Sequence, residues 1–88
     1  MPVIPSVFPH HGESVPAIVP AYLTEAREAA GLSRELVAVD RGVSAAAVAS
    51  WERGTNCPPG WQLVALAHLY RVSVESLTTA RDDMAGAL

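Results

Sequence analysis

The chain contains no lysine. Its six basic residues are all arginine, and nine acids outnumber them, giving a formal charge of −3 over 88 residues. That balance excludes a broadly basic surface, the usual source of affinity for nucleic-acid phosphates. There is one cysteine, Cys57, so no internal disulfide can form and folding needs no oxidising compartment. No apolar run approaches a membrane span, and the N-terminus lacks the charged start and long apolar centre of a signal peptide. The expectation is a soluble, cytoplasmic protein without membrane contact. Catalytic groupings are missing as well: no nucleophile lies at usable spacing from a base, no glycine loop suits a phosphate, and no carboxylates pair across a cleft. Enzyme is the least favoured class, and no cofactor is implied.

What is present is a chain half of whose residues are hydrophobic, with alanine supplying much of that half. Low net charge and many apolar residues favour collapse into one small domain built from small side chains. Residues 1–19 read as a separate arm. Five of the seven prolines fall within the first twenty residues, a spacing that excludes a helix there. Val3, Ile4, Val7 and Phe8 flank Pro5, so some packing of the arm on its own core or on a second chain is favoured over a solvated tail. His10 and His11 with Glu13 lack the spacing of a tetrahedral metal site; exposure or an arm contact to DNA is the better reading, and no metal is expected.

Pro20 suits the first position of a helix, which runs to about Ala30 with Leu23, Ala26 and Ala30 inward and Glu25, Arg27 and Glu28 outward. Gly31 ends it. Ser33 then caps a helix over residues 34–41 that buries Val37 and Ala38, Gly42 makes a tight turn, and Val43 plugs the angle that follows. Ser44 caps a third helix reaching Arg53 and stopped by Gly54. After the loop over residues 55–60, Leu63, Leu66, Ala67 and Tyr70 recur at helical spacing in a fourth helix. Trp61, Val64 and Leu69 lie off that stripe, so this helix is apolar almost all round and needs a cover for its second face. Val72 enters the core, Ser73 caps a fifth helix holding Leu77, and residues 80–88 form a frayed tail.

Two short helices across a glycine turn, the second free to enter a major groove, form a recurring DNA-reading device. The pieces Leu23-Thr24-Glu25-Ala26-Arg27-Glu28-Ala29-Ala30-Gly31-Leu32-Ser33, Gly42-Val43-Ser44 and Trp51-Glu52-Arg53-Gly54, with the later stretch over residues 63–77, resemble the lambda-repressor-like helix-turn-helix domain of the Cro/cI, or XRE, type. The resemblance covers about residues 20–78. It implies an all-α, compact five-helix domain (residues 20–79 between arm and tail) that binds double-stranded DNA as a homodimer and regulates transcription, commonly as a repressor. By that resemblance Ala45, Ala46, Ala49 and Ser50 would face base edges beside the cap Ser44. Arg34 would stand where the family often has a glutamine touching phosphate or groove edge, with Arg53 and Thr55 near the backbone. Val48 and Trp51 would anchor the helix to the core.

Departures from the pattern shape the expectation. Leu36 replaces the acid that commonly completes a capping box, so Ser33 must cap alone. Arg41 replaces a leucine, and over residues 33–54 three arginines offset Glu35, Asp40 and Glu52 to a net of zero. Alanine touches a thymine methyl at most, whereas a bidentate arginine–guanine contact gives roughly 1–3 kcal/mol of discrimination. Direct base reading should be shallow, with discrimination shifted towards DNA shape. Glu52 reads as a solvated or paired charge. The second apolar face of helix four, with Trp61, Val64, His68 and Leu69, is the candidate dimer contact. A competing reading keeps the scaffold as a protein–protein interaction module with little DNA binding; the negative charge and the alanine run favour it.

Overall fold

A computed structural model describes residues 16–81, so the arm over residues 1–15 and the tail over residues 82–88, including His10, His11 and Glu13, lie outside the described residues. Among the described residues four α-helices follow one another: α1 (Pro20–Ala29), α2 (Arg34–Arg41), α3 (Ala45–Arg53) and α4 (Gly60–Tyr70), with a 3-10 turn at Glu75–Leu77. Local chemistry explains most of these limits. Pro20 opens α1 because its missing N–H has no partner to lose in a first turn. Ser33 Oγ accepts from the Leu36 N–H at 3.1 Å and Ser44 Oγ from the Ala47 N–H at 3.0 Å, so each serine caps its helix without an acid three residues on. Gly42 closes α2 at φ 70° and Gly54 closes α3 at φ 83°, both in the left-handed region. At Gly54 the space is also limited: an added Cβ would lie 3.1 Å from Cγ of Pro20.

The core is one cluster. Leu23 from α1, Val37 and Ala38 from α2, Val48 and Trp51 from α3, and Leu63, Leu66, Ala67 and Tyr70 from α4 are buried together with Leu77. Each fully buried leucine or valine contributes about 1.5–3 kcal/mol relative to an exposed one. Leu23, Leu66 and Leu77 are the largest fully enclosed side chains, followed by Val37 and Val48, so every element contributes to the centre. Trp51 is buried within the cluster. Ala30, expected inward, is exposed as the C-cap of α1.

The fifth helix is not formed. Ser73 caps its start as expected, accepting from the Ser76 N–H at 3.1 Å. Five residues after Ser73, however, the chain is extended at Thr78 (φ −131°, ψ 176°) and pairs with Ile18 in an isolated antiparallel bridge. Val19 N–H donates to the Leu77 carbonyl at 3.0 Å and Thr79 N–H to the Ala17 carbonyl at 2.8 Å. A helix through Thr78 would forfeit those bonds, and residues 17–19 are thereby tied to the domain.

Candidate nucleic-acid interface

On α3 the helical repeat separates two faces. Val48 and Trp51 point into the core, while Ala46 and Arg53 are exposed, with Ala45 and Ala49 partly exposed beside them. Residues 46, 49 and 53 succeed one another at i, i+3 and i+7, so they form one outward stripe. α3 packs on α1 and α2, with Val48 and Trp51 in the shared core. Ala45 is shared between the faces, since it also packs against the core cluster.

Ser50 does not belong to the stripe, and the expectation that it faces base edges is corrected. It is 9% exposed, and its hydroxyl donates to the Ala47 carbonyl at 2.9 Å. Its own carbonyl accepts from Gly54 N–H at 3.0 Å and Thr55 N–H at 3.1 Å, so the residue folds the exit loop back onto α3. Thr55 is exposed, and its hydroxyl lies 3.3 Å from the same carbonyl. Ser44 is exposed while its oxygen is engaged in capping. The loop also brings forward Asn56, exposed, whose Nδ2 donates to Ser50 Oγ at 3.4 Å; nothing in its local sequence singled it out.

The electrostatics differ from the tally of residues 33–54. Arg27, expected outward, is buried, with a side chain 9% exposed. Its Nε donates to Glu52 Oε2 at 2.7 Å, its Nη2 to Glu52 Oε1 at 3.2 Å and its Nη1 to the Leu32 carbonyl at 2.9 Å. Arg34, half exposed at 46%, donates its Nε to the same Glu52 Oε1 at 2.9 Å. Glu52, whose side chain is 3% exposed, therefore lies between two cations. Burial alone would raise its carboxyl, but the hydrogen bonds from Arg27 and Arg34 outweigh burial and hold it below its ordinary range. The same hydrogen bond to Glu52 raises Arg27 against the opposing effect of burial. With Arg27 counted, the triad carries a net single positive charge, presented by Arg34.

Two further cations are distinguished. Arg53 has no ion-pair partner among the described residues and sits at the end of α3, where a positive charge also suits the helix dipole. Arg41 is turned away: it pairs with Asp40 at 3.2 Å and donates Nη1 to Gln62 Oε1 at 3.2 Å, while Gln62 Nε2 returns a bond to the Arg41 carbonyl at 3.3 Å. Gln62 is buried, so a polar pair stands where a leucine of α2 would meet α4.

On α4, Trp61 and Val64 are 67% and 50% exposed and His68 is exposed; at i, i+3 and i+7 they share one face. Leu69 is partly buried and packs against the core cluster. A second apolar feature lies on α2, where Leu36 and Val39 are 58% and 81% exposed. Among the described residues no group of three potential ligands is placed to hold a metal, and no helix is long and apolar enough to cross a membrane. A hollow of about 310 Å³ is lined by residues including Tyr22, Ala29, Val72 and Arg81 and by none of the candidate site residues.

Residues 21–80 match the profile of a family described as a helix-turn-helix domain. No curated protein and no solved structure matches the chain.

Proposed function

The chain belongs to the helix-turn-helix domain family, whose members are generally DNA-binding regulators, and from that premise we propose a shape-selective transcriptional regulator of the XRE type, repressor-like and cytoplasmic, that binds double-stranded DNA as a homodimer. In this reading α3 lies in the major groove, with Ala45, Ala46 and Ala49 against base edges and thymine methyls. Arg34, Arg53, Thr55 and the exposed edge of Ser44 meet the sugar-phosphate backbone. The observation that carries the reading is the outward stripe Ala46–Ala49–Arg53, left uncovered on a helix whose opposite side anchors it to the core. An alanine surface lets the helix approach closely but gives little hydrogen-bond code, so preference follows groove width and deformability.

The homodimer reading is supported by Trp61, Val64 and His68 on the exposed face of α4, an apolar strip suited to a self-complementary contact. Two copies would place their α3 helices about 34 Å apart on a partly palindromic site. Binding of labelled random and genomic duplexes, followed by fluorescence anisotropy at low and moderate salt, tests the proposal. Saturable binding that weakens after combined Arg34→Ala and Arg53→Ala replacement supports it. Absence of binding at low salt overturns it and favours the protein-interaction module, for which the exposed Leu36 and Val39 of α2 are the specific supporting observation.

A further inference from the structure

The charge of Arg34 reaches the surface through an arrangement that α3 itself imposes. Glu52 is on α3, Arg34 begins α2 and Arg27 belongs to α1, so one buried carboxylate ties together three helices. Arg27 spends Nε and both terminal nitrogens on Glu52 and the Leu32 carbonyl, and its Nη2 also lies 3.8 Å from a carboxylate oxygen of the solvent-exposed Glu28. Arg34 spends Nε alone; its two terminal nitrogens have no partner among the described residues, and its side chain is half exposed. A guanidinium is planar, so fixing the direction of the Nε–H fixes where the terminal nitrogens point.

We propose that Glu52 is a positioning residue for DNA binding: it holds Arg34 by Nε so that the terminal edge of the guanidinium is already aimed at one backbone phosphate, while buried Arg27 neutralises Glu52 and leaves the positive charge of Arg34 for that phosphate. The inference rests on the DNA-binding reading above and deepens it. Two features separate this arrangement from an ordinary surface ion pair. An exposed arginine paired one-to-one with a glutamate would be electrically neutral towards a phosphate. Here the carboxylate is compensated from beneath. An unheld arginine side chain must also be ordered on binding, which opposes association. The clamp meets that cost during folding.

The test is a cycle in the full chain. Replacing Arg27→Met and Glu52→Met together removes the clamp but leaves the net charge unchanged, and exchange of a buried ion pair for apolar groups is commonly tolerated. Arg34→Gln is then introduced into both the native and the doubly replaced protein, and affinity for one selected duplex is measured across a salt series. In the native protein Arg34→Gln should weaken binding about tenfold and flatten the log–log salt slope by about 0.9. Without the clamp the same replacement should weaken binding by no more than about threefold. Equal losses in the two backgrounds overturn the positioning role while leaving DNA binding intact. Failure of the native protein to bind any duplex at low salt overturns the DNA reading and this inference with it. Should the doubly replaced protein not fold, nitrogen-15 relaxation of the Arg34 Nε–H in the free native protein decides. Order comparable to that of Arg27 supports the clamp, and a freely moving side chain refutes it.

Discussion

Replacing Glu52 by glutamine removes the charge that buried Arg27 depends on. Glu52 and Arg27 are almost wholly enclosed, joined by bonds of 2.7 and 3.2 Å, and among the described residues no other acid approaches Arg27 more closely than Glu28 at 3.8 Å. Removing one partner of such a pair costs about 3–5 kcal/mol, since the remaining charge is left uncompensated. Against a total of about 4–13 kcal/mol for a domain of this length, that is a large share. Urea unfolding followed by circular dichroism should show a midpoint lowered in proportion. The pH dependence supplies the independent check. The folded Glu52 carboxyl titrates below its ordinary value, so its contribution is fully present above the unfolded value and is lost as pH falls through the folded one. Native protein should therefore lose stability steeply on acidification below about pH 4.5, and Glu52→Gln should show a flatter acid limb. A glutamine variant as stable as the native chain at neutral pH, or one with an unchanged acid limb, would refute the account of the triad.

Three further outcomes are expected. Burial pushes the Tyr70 hydroxyl up to about 12, so its stabilisation is fully present below the unfolded value of 10.0 and is lost progressively as pH rises from there through about 12; Tyr70→Phe should abolish roughly 3 kcal/mol of alkaline loss in urea titrations at high pH. Arg71, the C-cap of α4, sits at φ 62°, a region that strains any residue with a Cβ. Arg71→Gly should stabilise by about 0.5–1 kcal/mol, read as a raised Tm. Trp61→Ser with Val64→Ser should shift sedimentation from dimer to monomer and change the stability of the isolated protomer by less than about 1 kcal/mol; an unchanged sedimentation coefficient would refute the α4 contact.

How far the sequence carried these conclusions depended on the range of the interactions involved. α2 and α3 were legible to the residue, because a capping serine and a left-handed glycine at each end are local signals. The core stripe of α4 was legible for the same reason, its apolar residues recurring on one face. The missing fifth helix was not legible: Ser73 gives the same capping signal as Ser33 and Ser44, and what overrides it is pairing with residues about sixty positions earlier. Arg27 was misplaced because its partner is 25 residues away, and a charged residue amid Glu25 and Glu28 reads locally as a solvated face. Ser50 was misplaced because the alanines of α3 carry little hydrophobic contrast, so their pattern does not fix which way the helix is turned. Ala46 and Arg53 are exposed and Ala49 partly so, where the legible core residues Val48 and Trp51 set the opposite face.

The uncovered alanine stripe of α3 is tested most directly by the affinity of Ala46→Glu for a selected duplex. Ala46 is exposed and engaged in no side-chain contact with the core, so stability should stay within about 0.5 kcal/mol of the native protein. A carboxylate on that stripe would be forced against phosphates and base edges, and binding should fall at least about tenfold. Native affinity in a folded Ala46→Glu protein would contradict the placement of α3 in the groove.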